Sequence, residues 1–257
     1  MKTIGVTNQK GGVAKTTNTI NIAGAAAAAG LEVLVADSDP QGYLTNNLGL
    51  RDAYTAESPT FFDAWTEPTE HDPAELIVEH EEFDVLPSSV DMFTLEQELI
   101  AAGWRVRERL SMIFEQLPEK YDLLLVDAPP SLGPINDNVL LATERIIIPM
   151  EAQETSVLAL DHLLRQIETL EDRFEVSISE EAVVISDVDY PLDNEQKDMI
   201  AWIEDTFTDR APVFEIRHRA AIARAVKAGH SISGYGEEES DMESVYQNIV
   251  DELGVTS

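Results

Sequence analysis

The fold of this chain turns on Asn8-Gln9-Lys10-Gly11-Gly12-Val13-Ala14-Lys15-Thr16-Thr17. The stretch follows a β-like run, Thr3–Thr7, and opens a helix-like run, Lys15–Ala29. A phosphate-binding loop needs that context. Glycines let consecutive backbone N–H groups turn inward as an anion nest. The helix that follows adds the positive end of its dipole. Lys15 then reaches the β- and γ-phosphates, and the Thr16 hydroxyl is placed for Mg²⁺. The common pattern G-x-x-x-x-G-K-[ST] is not met, because position 9 is Gln and position 14 is Ala. An alanine is accommodated in such a loop only at negative φ; a positive φ would strain it.

Outward from the loop, short apolar runs alternate with helical patterns. The runs Thr3–Thr7, Glu32–Ala36, Phe83–Leu86, Leu123–Val126, Arg145–Pro149, Ala182–Ser186 and Pro212–Ile216 read as strands. Lys15–Ala29, Asp91–Gln116, Ile135–Ala142, Thr155–Leu170, Glu195–Thr206, Ala220–Ala228 and Ser240–Leu253 read as helices. This alternation predicts an α/β fold of three layers, a mostly parallel twisted sheet with helices on both faces. No Gly/Ser/Pro-rich linker interrupts it, so residues 1–257 are expected to form one domain. Residues 50–82, rich in acids and prolines, are expected to add short surface helices and loops.

Two apolar strands end in acids. Val33-Leu34-Val35-Ala36 leads into Asp37-Ser38-Asp39-Pro40-Gln41-Gly42, and Leu123-Leu124-Leu125-Val126 leads into Asp127-Ala128-Pro129-Pro130-Ser131. An Asp at the carboxyl end of a parallel strand points into the ligand crevice. Asp127 there can hold Mg²⁺ through a water. Each acid taken alone also suits a helix cap or a turn.

The loop, K-G-G-x-x-K-T-T with its early lysine, and the two acidic segments resemble the ParA/MinD superfamily of deviant Walker A ATPases. D-P-Q-G and D-x-P-P-S match the ParA branch, and the likeness covers the whole chain. The resemblance implies the deviant P-loop NTPase fold and a slow, Mg²⁺-dependent hydrolysis of ATP that a partner stimulates. It implies that Lys10 crosses a dimer interface to the partner's nucleotide. Lys15 becomes the in-subunit phosphate lysine, Thr16 the magnesium ligand and Thr17 a contact to the α-phosphate; Gly11, Gly12, Val13 and Ala14 complete the nucleotide loop. Asp39 would position the attacking water and Asp37 would support the outer shell of the metal. After the strand Ala182–Ser186, Asp187 or Asp189 could accept from the adenine amino group, or serve only in the turn. The implied partners are a nucleotide-dependent second copy, nonspecific DNA and a centromere-binding ParB-like protein or a cargo adaptor. The implied role is plasmid or chromosome partition. A related ATPase positioning another cargo, and a nucleotide-binding nucleoid scaffold with negligible hydrolysis, are the alternatives.

Charge narrows these roles. The chain has 49 Asp+Glu against 17 Lys+Arg, a formal net charge of −32. Such a surface excludes a nonspecific basic coat and an anionic-membrane binder acting by overall charge. It suits a salt-adapted protein, since in molar salt the Debye length falls to roughly 3 Å. A halophilic archaeal source is the expectation. The absence of cysteine excludes disulfides, thiolate-held clusters and the iron proteins of the superfamily. The terminal Ser244–Leu253 carries acids on its polar face, unlike a membrane-binding basic helix. A cytoplasmic, nucleoid-associated protein without an N-terminal helix-turn-helix is therefore expected. One stretch departs from the acidic average: Ile216–Gly236 holds no Asp or Glu. It carries Arg217, Arg219, Arg224 and Lys227 as candidate contacts to DNA phosphates, and on one helix Arg217, Arg224 and Lys227, spaced by seven and three, would share a face. A basic helix pairing with neighbouring acidic segments is the competing reading. The Arg105, Arg107 and Arg109 group is a weaker second candidate for DNA.

Overall fold

The structure, a computed structural model, describes residues 1–103, 105–236 and 241–255. Seven strands form one sheet, β1 (Lys2–Val6), β2 (Val33–Asp37), β3 (Asp84–Leu86), β4 (Leu123–Asp127), β5 (Arg145–Met150), β6 (Ser179–Val188) and β7 (Val213–Arg217). Every ladder is parallel and the order is β3-β2-β4-β1-β5-β6-β7. The expected strands are all present, each shifted by a few residues at most except β6, which starts three residues early.

The helices are α1 (Lys15–Ala28), α2 (Tyr43–Asn47), α3 (Arg51–Tyr54), α4 (Phe61–Thr66), α5 (Leu95–Ala102), α6 (Arg109–Phe114), α7 (Pro134–Thr143), α8 (Thr155–Phe174), α9 (Asn194–Phe207), α10 (Ala220–Lys227), α11 (Ile232–Tyr235) and α12 (Glu243–Glu252). Short 3₁₀ turns occur at Pro73–Leu76 and Val90–Thr94. The expected helix Asp91–Gln116 is divided. Gly103 takes a φ of +66° after α5, and an α-helix cannot continue through that conformation. Trp104 and Ser240, both inside expected helices, lie outside the described residues.

Strand periodicity explains the layering. On β4, Leu123 and Leu125 pack with Ile20 and Ala23 of α1 and Tyr246 of α12. Leu124 and Val126 point to the opposite face, toward Leu99 of α5, Ile113 of α6 and Val139 of α7. A third cluster places β5 and β6 residues Ile148 and Ile185 against Leu163 of α8 and Ile203 of α9. Both faces are covered, which is why the strands read as continuous apolar runs rather than alternating ones. Gly5 permits one close approach: a Cβ there would lie 2.9 Å from Val139, so the glycine lets α7 sit on β1.

The chain leaves β1 toward β2 on one side of the sheet and leaves β4 toward β5 on the other, so the strand order reverses at β1 and β4. A ligand crevice forms at such a switch point, beyond the carboxyl ends of the strands. The stretch 8–17 and Asp127 both emerge there.

Candidate functional site

The N-terminus of α1 is prepared for an anion. Ala14 caps it without a side-chain hydrogen bond, and its first turn holds no acid. The leading N–H groups therefore lack the protein acceptor that most helix starts supply. Gly12 has φ +81°, as a nest requires. Ala14 has φ +61°, the left-handed conformation that strains an alanine. The left-handed region costs a residue with a Cβ about 1–2 kcal/mol, against about 0.5–1 kcal/mol of extra chain entropy for glycine. Ala14→Gly is thus expected to stabilise the loop by about 0.5–1 kcal/mol, read as a higher melting temperature and tighter nucleotide binding. Equal or weaker binding by the variant would show that the loop is not strained in solution.

Behind the loop, one lysine and three carboxylates are buried: Lys15, Asp37, Asp39 and Asp127. Lys15 is buried, and burial lowers its pKa while the charges of Asp127 and Asp39 pull it back up. Its ammonium donates to the Lys10 carbonyl at 3.2 Å. Asp127 accepts from the Thr16 hydroxyl at 2.7 Å and from the Thr19 hydroxyl at 3.1 Å. Burial, with a smaller contribution from Asp39, raises its pKa to about 7. Asp37 is pushed to about 8, by burial first and then by Asp127. Its Oδ2 accepts from the Thr45 N–H and hydroxyl, at 2.9 and 2.6 Å, and its Oδ1 from the Asp39 N–H at 3.2 Å. Asp37 thus anchors the loop after β2 onto α2 with both oxygens. Asp39 accepts from the Gln41 N–H at 2.9 Å, and burial raises its pKa.

A divalent cation fits this chemistry. Carboxylates held above their ordinary range by burial and mutual repulsion are relieved by positive charge. Among the described residues no three His, Asp or Glu side chains converge to hold a metal unaided. An ion at Thr16 and Asp127 would thus complete its shell with water and phosphate oxygens, as Mg²⁺ does.

Lys10 does not point at its own phosphate loop. Its ammonium donates to Glu151 at 2.7 Å and Gln153 at 3.0 Å, just beyond β5. Beside it opens a pocket of 210 Å³ lined in part by Ala14, Thr17, Glu151, Ser186, Asp187 and Arg217. Its floor is a buried chain in which the Tyr246 hydroxyl donates to Asn18 at 3.0 Å and Asn18 donates to Ser186 at 2.8 Å. Asp187 lines this pocket and pairs with His218.

The basic stretch is not one helical face. Arg217 is the last residue of β7 and Arg219 caps α10, so the seven-residue helical spacing of Arg217 and Arg224 does not exist. Arg219 makes two hydrogen bonds to Asp241, at 2.8 and 2.6 Å. Arg217 lies 3.7 Å from the same carboxylate, its guanidinium 4.5 Å above the Tyr190 ring. Arg224 and Lys227 lie on α10 and are exposed. The second arginine group is also dispersed. Arg105 pairs with Glu108, Arg107 with Asp137 at 2.6 Å, and Arg109 is buried with a hydrogen bond to the Thr66 carbonyl.

Thr19, Thr45 and Glu151 were not singled out by their sequence. Glu151 follows an apolar strand just as Asp37 and Asp127 end theirs, so the same strand-end rule points to it. The two threonines carry no comparable signal.

An all-parallel sheet with a glycine-rich loop at its switch point, a buried lysine and strand-end aspartates defines a P-loop nucleoside triphosphatase. The chain belongs to the AAA domain family AAA_31, whose profile matches residues 1–180, and to the ParA/MinD superfamily of partition ATPases. It is 30% identical over 188 residues to the sporulation initiation inhibitor protein Soj of Bacillus subtilis, covering 73% of each chain. It is 38% identical over 168 residues to the chromosome-partitioning ATPase Soj of Thermus thermophilus, covering 65% of this chain and 62% of the relative. It is 31% identical to the chromosome partitioning protein ParA of Caulobacter vibrioides, over 72% and 69% of the two chains. The fold matches that of a Cyanothece McdA variant in complex with ATP, with a TM-score of 0.86 at 22% identity, covering 100% and 98% of the chains. A plasmid partition protein of Borrelia burgdorferi bound to AMPPNP matches at 0.80 and 20% identity, over 98% of each chain.

Proposed function

We propose that residues 1–257 work as one ATP-driven dimerising switch, an ATPase that holds nonspecific DNA and drives plasmid or chromosome partition. The observation that carries this reading is the start of α1, which has no side-chain cap and whose first residue is the buried Lys15, its charge acted on by Asp127 and Asp39. Gly11 to Thr17 would cradle the phosphates, and Lys15 would neutralise charge spreading over the γ-phosphoryl oxygens. Thr16 and Asp127 would hold Mg²⁺, directly and through water, with Asp37 fixing the loop behind them. When bound, the ion would supply positive charge that offsets the charge of the phosphates. Asp39 would orient the attacking water.

The second copy follows from Lys10 and from the surface. Lys10 must leave Glu151 and Gln153 before it can meet a partner's nucleotide. Tyr43, Val90, Phe93, Leu132 and Leu158 are exposed large apolar side chains. All follow the carboxyl ends of β2 to β5, so they rim the same edge as the phosphate loop. A face of that kind suits burial against a second copy.

For DNA the exposed pair Arg224 and Lys227 is the better-supported part of the basic stretch. Both lie on one helix, three residues apart, whereas Arg217 ends β7 and Arg219 precedes α10. Charge reversal at both Arg224 and Lys227 is expected to abolish ATP-dependent DNA retention while ATP hydrolysis persists, and DNA co-sedimentation at several salt concentrations checks it. Unchanged retention would move the DNA surface elsewhere.

Measuring phosphate release in high potassium chloride, with and without DNA and a ParB-like partner, tests the whole reading. High salt suits the −32 surface. The strained Ala14 favours one competing reading, a nucleotide-binding scaffold; absence of hydrolysis under every condition would establish it. Among the described residues no helix is long and apolar enough to cross a membrane. A cytoplasmic, nucleoid-associated location accords with partition.

A further inference from the structure

We infer that Ser88 is a positioning residue for the hydrolytic step, acting through the backbone of Asp39. The inference rests on the ATPase reading above. β3 is the edge strand of the sheet, and its ladder with β2 ends where Ala36 pairs with Leu86. The next residue, Pro87, has no N–H to continue it. Ser88 takes over with both of its donors. Its hydroxyl donates to the Asp39 carbonyl at 2.8 Å, and its N–H donates to the Thr45 hydroxyl at 3.0 Å. That same Thr45 hydroxyl donates to Asp37. Ser88 therefore touches the turn at Asp39 and the helix α2 that follows it, and it is fully buried.

The opposite flank is pinned as well. Ser38 donates to the Asp127 carbonyl with its N–H at 3.0 Å and its hydroxyl at 2.7 Å. The backbone carrying Asp39 thus hangs between two serines, one reaching to β4 and one reaching from beyond β3. Gly42 supplies the only other hydrogen bond to the Asp39 carbonyl given by the described residues, from its N–H at 2.9 Å, and it belongs to the same loop. Ser88 is the tie that comes from outside the loop. Removing it frees the Asp39 backbone on one side without touching the phosphate loop. A displacement of under an ångström matters for a group that must orient water in the transition state.

Ser89 supplies the control. It is equally buried, but its hydroxyl accepts from Thr60 at 3.2 Å instead of tying the loop after β2. The test compares ATP turnover, KM for ATP and melting temperature in the full-length protein, Ser88→Ala, Ser89→Ala and Asp39→Ala. Ser88→Ala is expected to lower kcat roughly five- to tenfold with KM unchanged, the scale of one lost hydrogen bond. Ser89→Ala is expected to show a similar melting temperature and unaltered kcat. Normal kcat in Ser88→Ala, a change in KM alone, or equal losses of kcat in both serine variants would overturn the inference and leave the ATPase reading standing. An unsubstituted protein without turnover would overturn that reading and this inference with it, and full turnover in Asp39→Ala would overturn the role of Asp39 and this inference while leaving the ATPase reading standing.

Discussion

Lys15→Ala is expected to weaken ATP binding by at least about 100-fold. The side chain is buried at the base of the phosphate loop, and both Asp39 and Asp127 act on its charge. Two losses coincide on truncation. The phosphates lose a buried, charge-assisted donor, and the carboxylates lose the cation that offsets them. Removing the lysine leaves Asp39 and Asp127 buried with less compensating positive charge. Part of the loss falls on the protein before any nucleotide arrives, so the variant should also melt lower. Titration with a fluorescent ATP analogue reads the first effect and thermal denaturation the second. Binding within about threefold of the unsubstituted protein would remove Lys15 from the phosphate site, since even one neutral hydrogen bond is worth about 1 kcal/mol.

Lys10 invites a contrasting expectation from the same loop. Its pair with Glu151 is partly exposed, with about a fifth of each side chain accessible, so breaking it leaves no uncompensated buried charge. The two lysines are five residues apart in one glycine-rich stretch, and the fold assigns them opposite surroundings. Lys15 is enclosed by strand-end carboxylates, whereas Lys10 lies on the rim.

Much of this was legible in the residues. Apolar runs such as Leu123–Val126, followed by Asp127, fix both a buried strand and the direction of its last side chain, because a parallel sheet sends every carboxyl end to one edge. The helix Ala220–Ala228 was equally legible. What preceded it was not: Arg217 read as a helical neighbour of Arg224, yet the strand runs on to Arg217, and the His218 N–H still donates to Val188. An acid-free composition says nothing about where a strand stops. Gly103 marks a second limit, since a glycine within a helical pattern is as compatible with an interior position as with a stop. Ser88 and Thr45 were invisible for another reason. Their importance lies in pairings across 49 and 43 residues, and serine and threonine are ordinary in any loop.

Asp127→Asn is expected to separate stability from function. In the folded chain burial raises the Asp127 carboxyl from 3.8 to about 7, so the folded state holds a proton that the unfolded chain has already released. Folded stability from this group is therefore full below about pH 4 and is lost as pH rises through about 7. At pH 8 the ion-free protein carries a buried carboxylate close to Asp37 and Asp39. Asparagine keeps the shape and one acceptor oxygen for Thr16 or Thr19 while removing the charge. In chelator, urea unfolding of the variant at pH 8 should show a gain of roughly 1–2 kcal/mol over the unsubstituted protein, a gain that shrinks toward pH 5. With Mg²⁺ and ATP the order should reverse. The unsubstituted protein gains stability by mass action, and the variant, lacking the carboxylate that would face the ion, gains far less. A variant less stable than the unsubstituted protein at pH 8 in chelator would mean that the carboxylate serves chiefly as an acceptor for the two threonines. The opposite result would mark Asp127 as a group kept at a cost to the empty fold, because only positive charge from outside the chain relieves it.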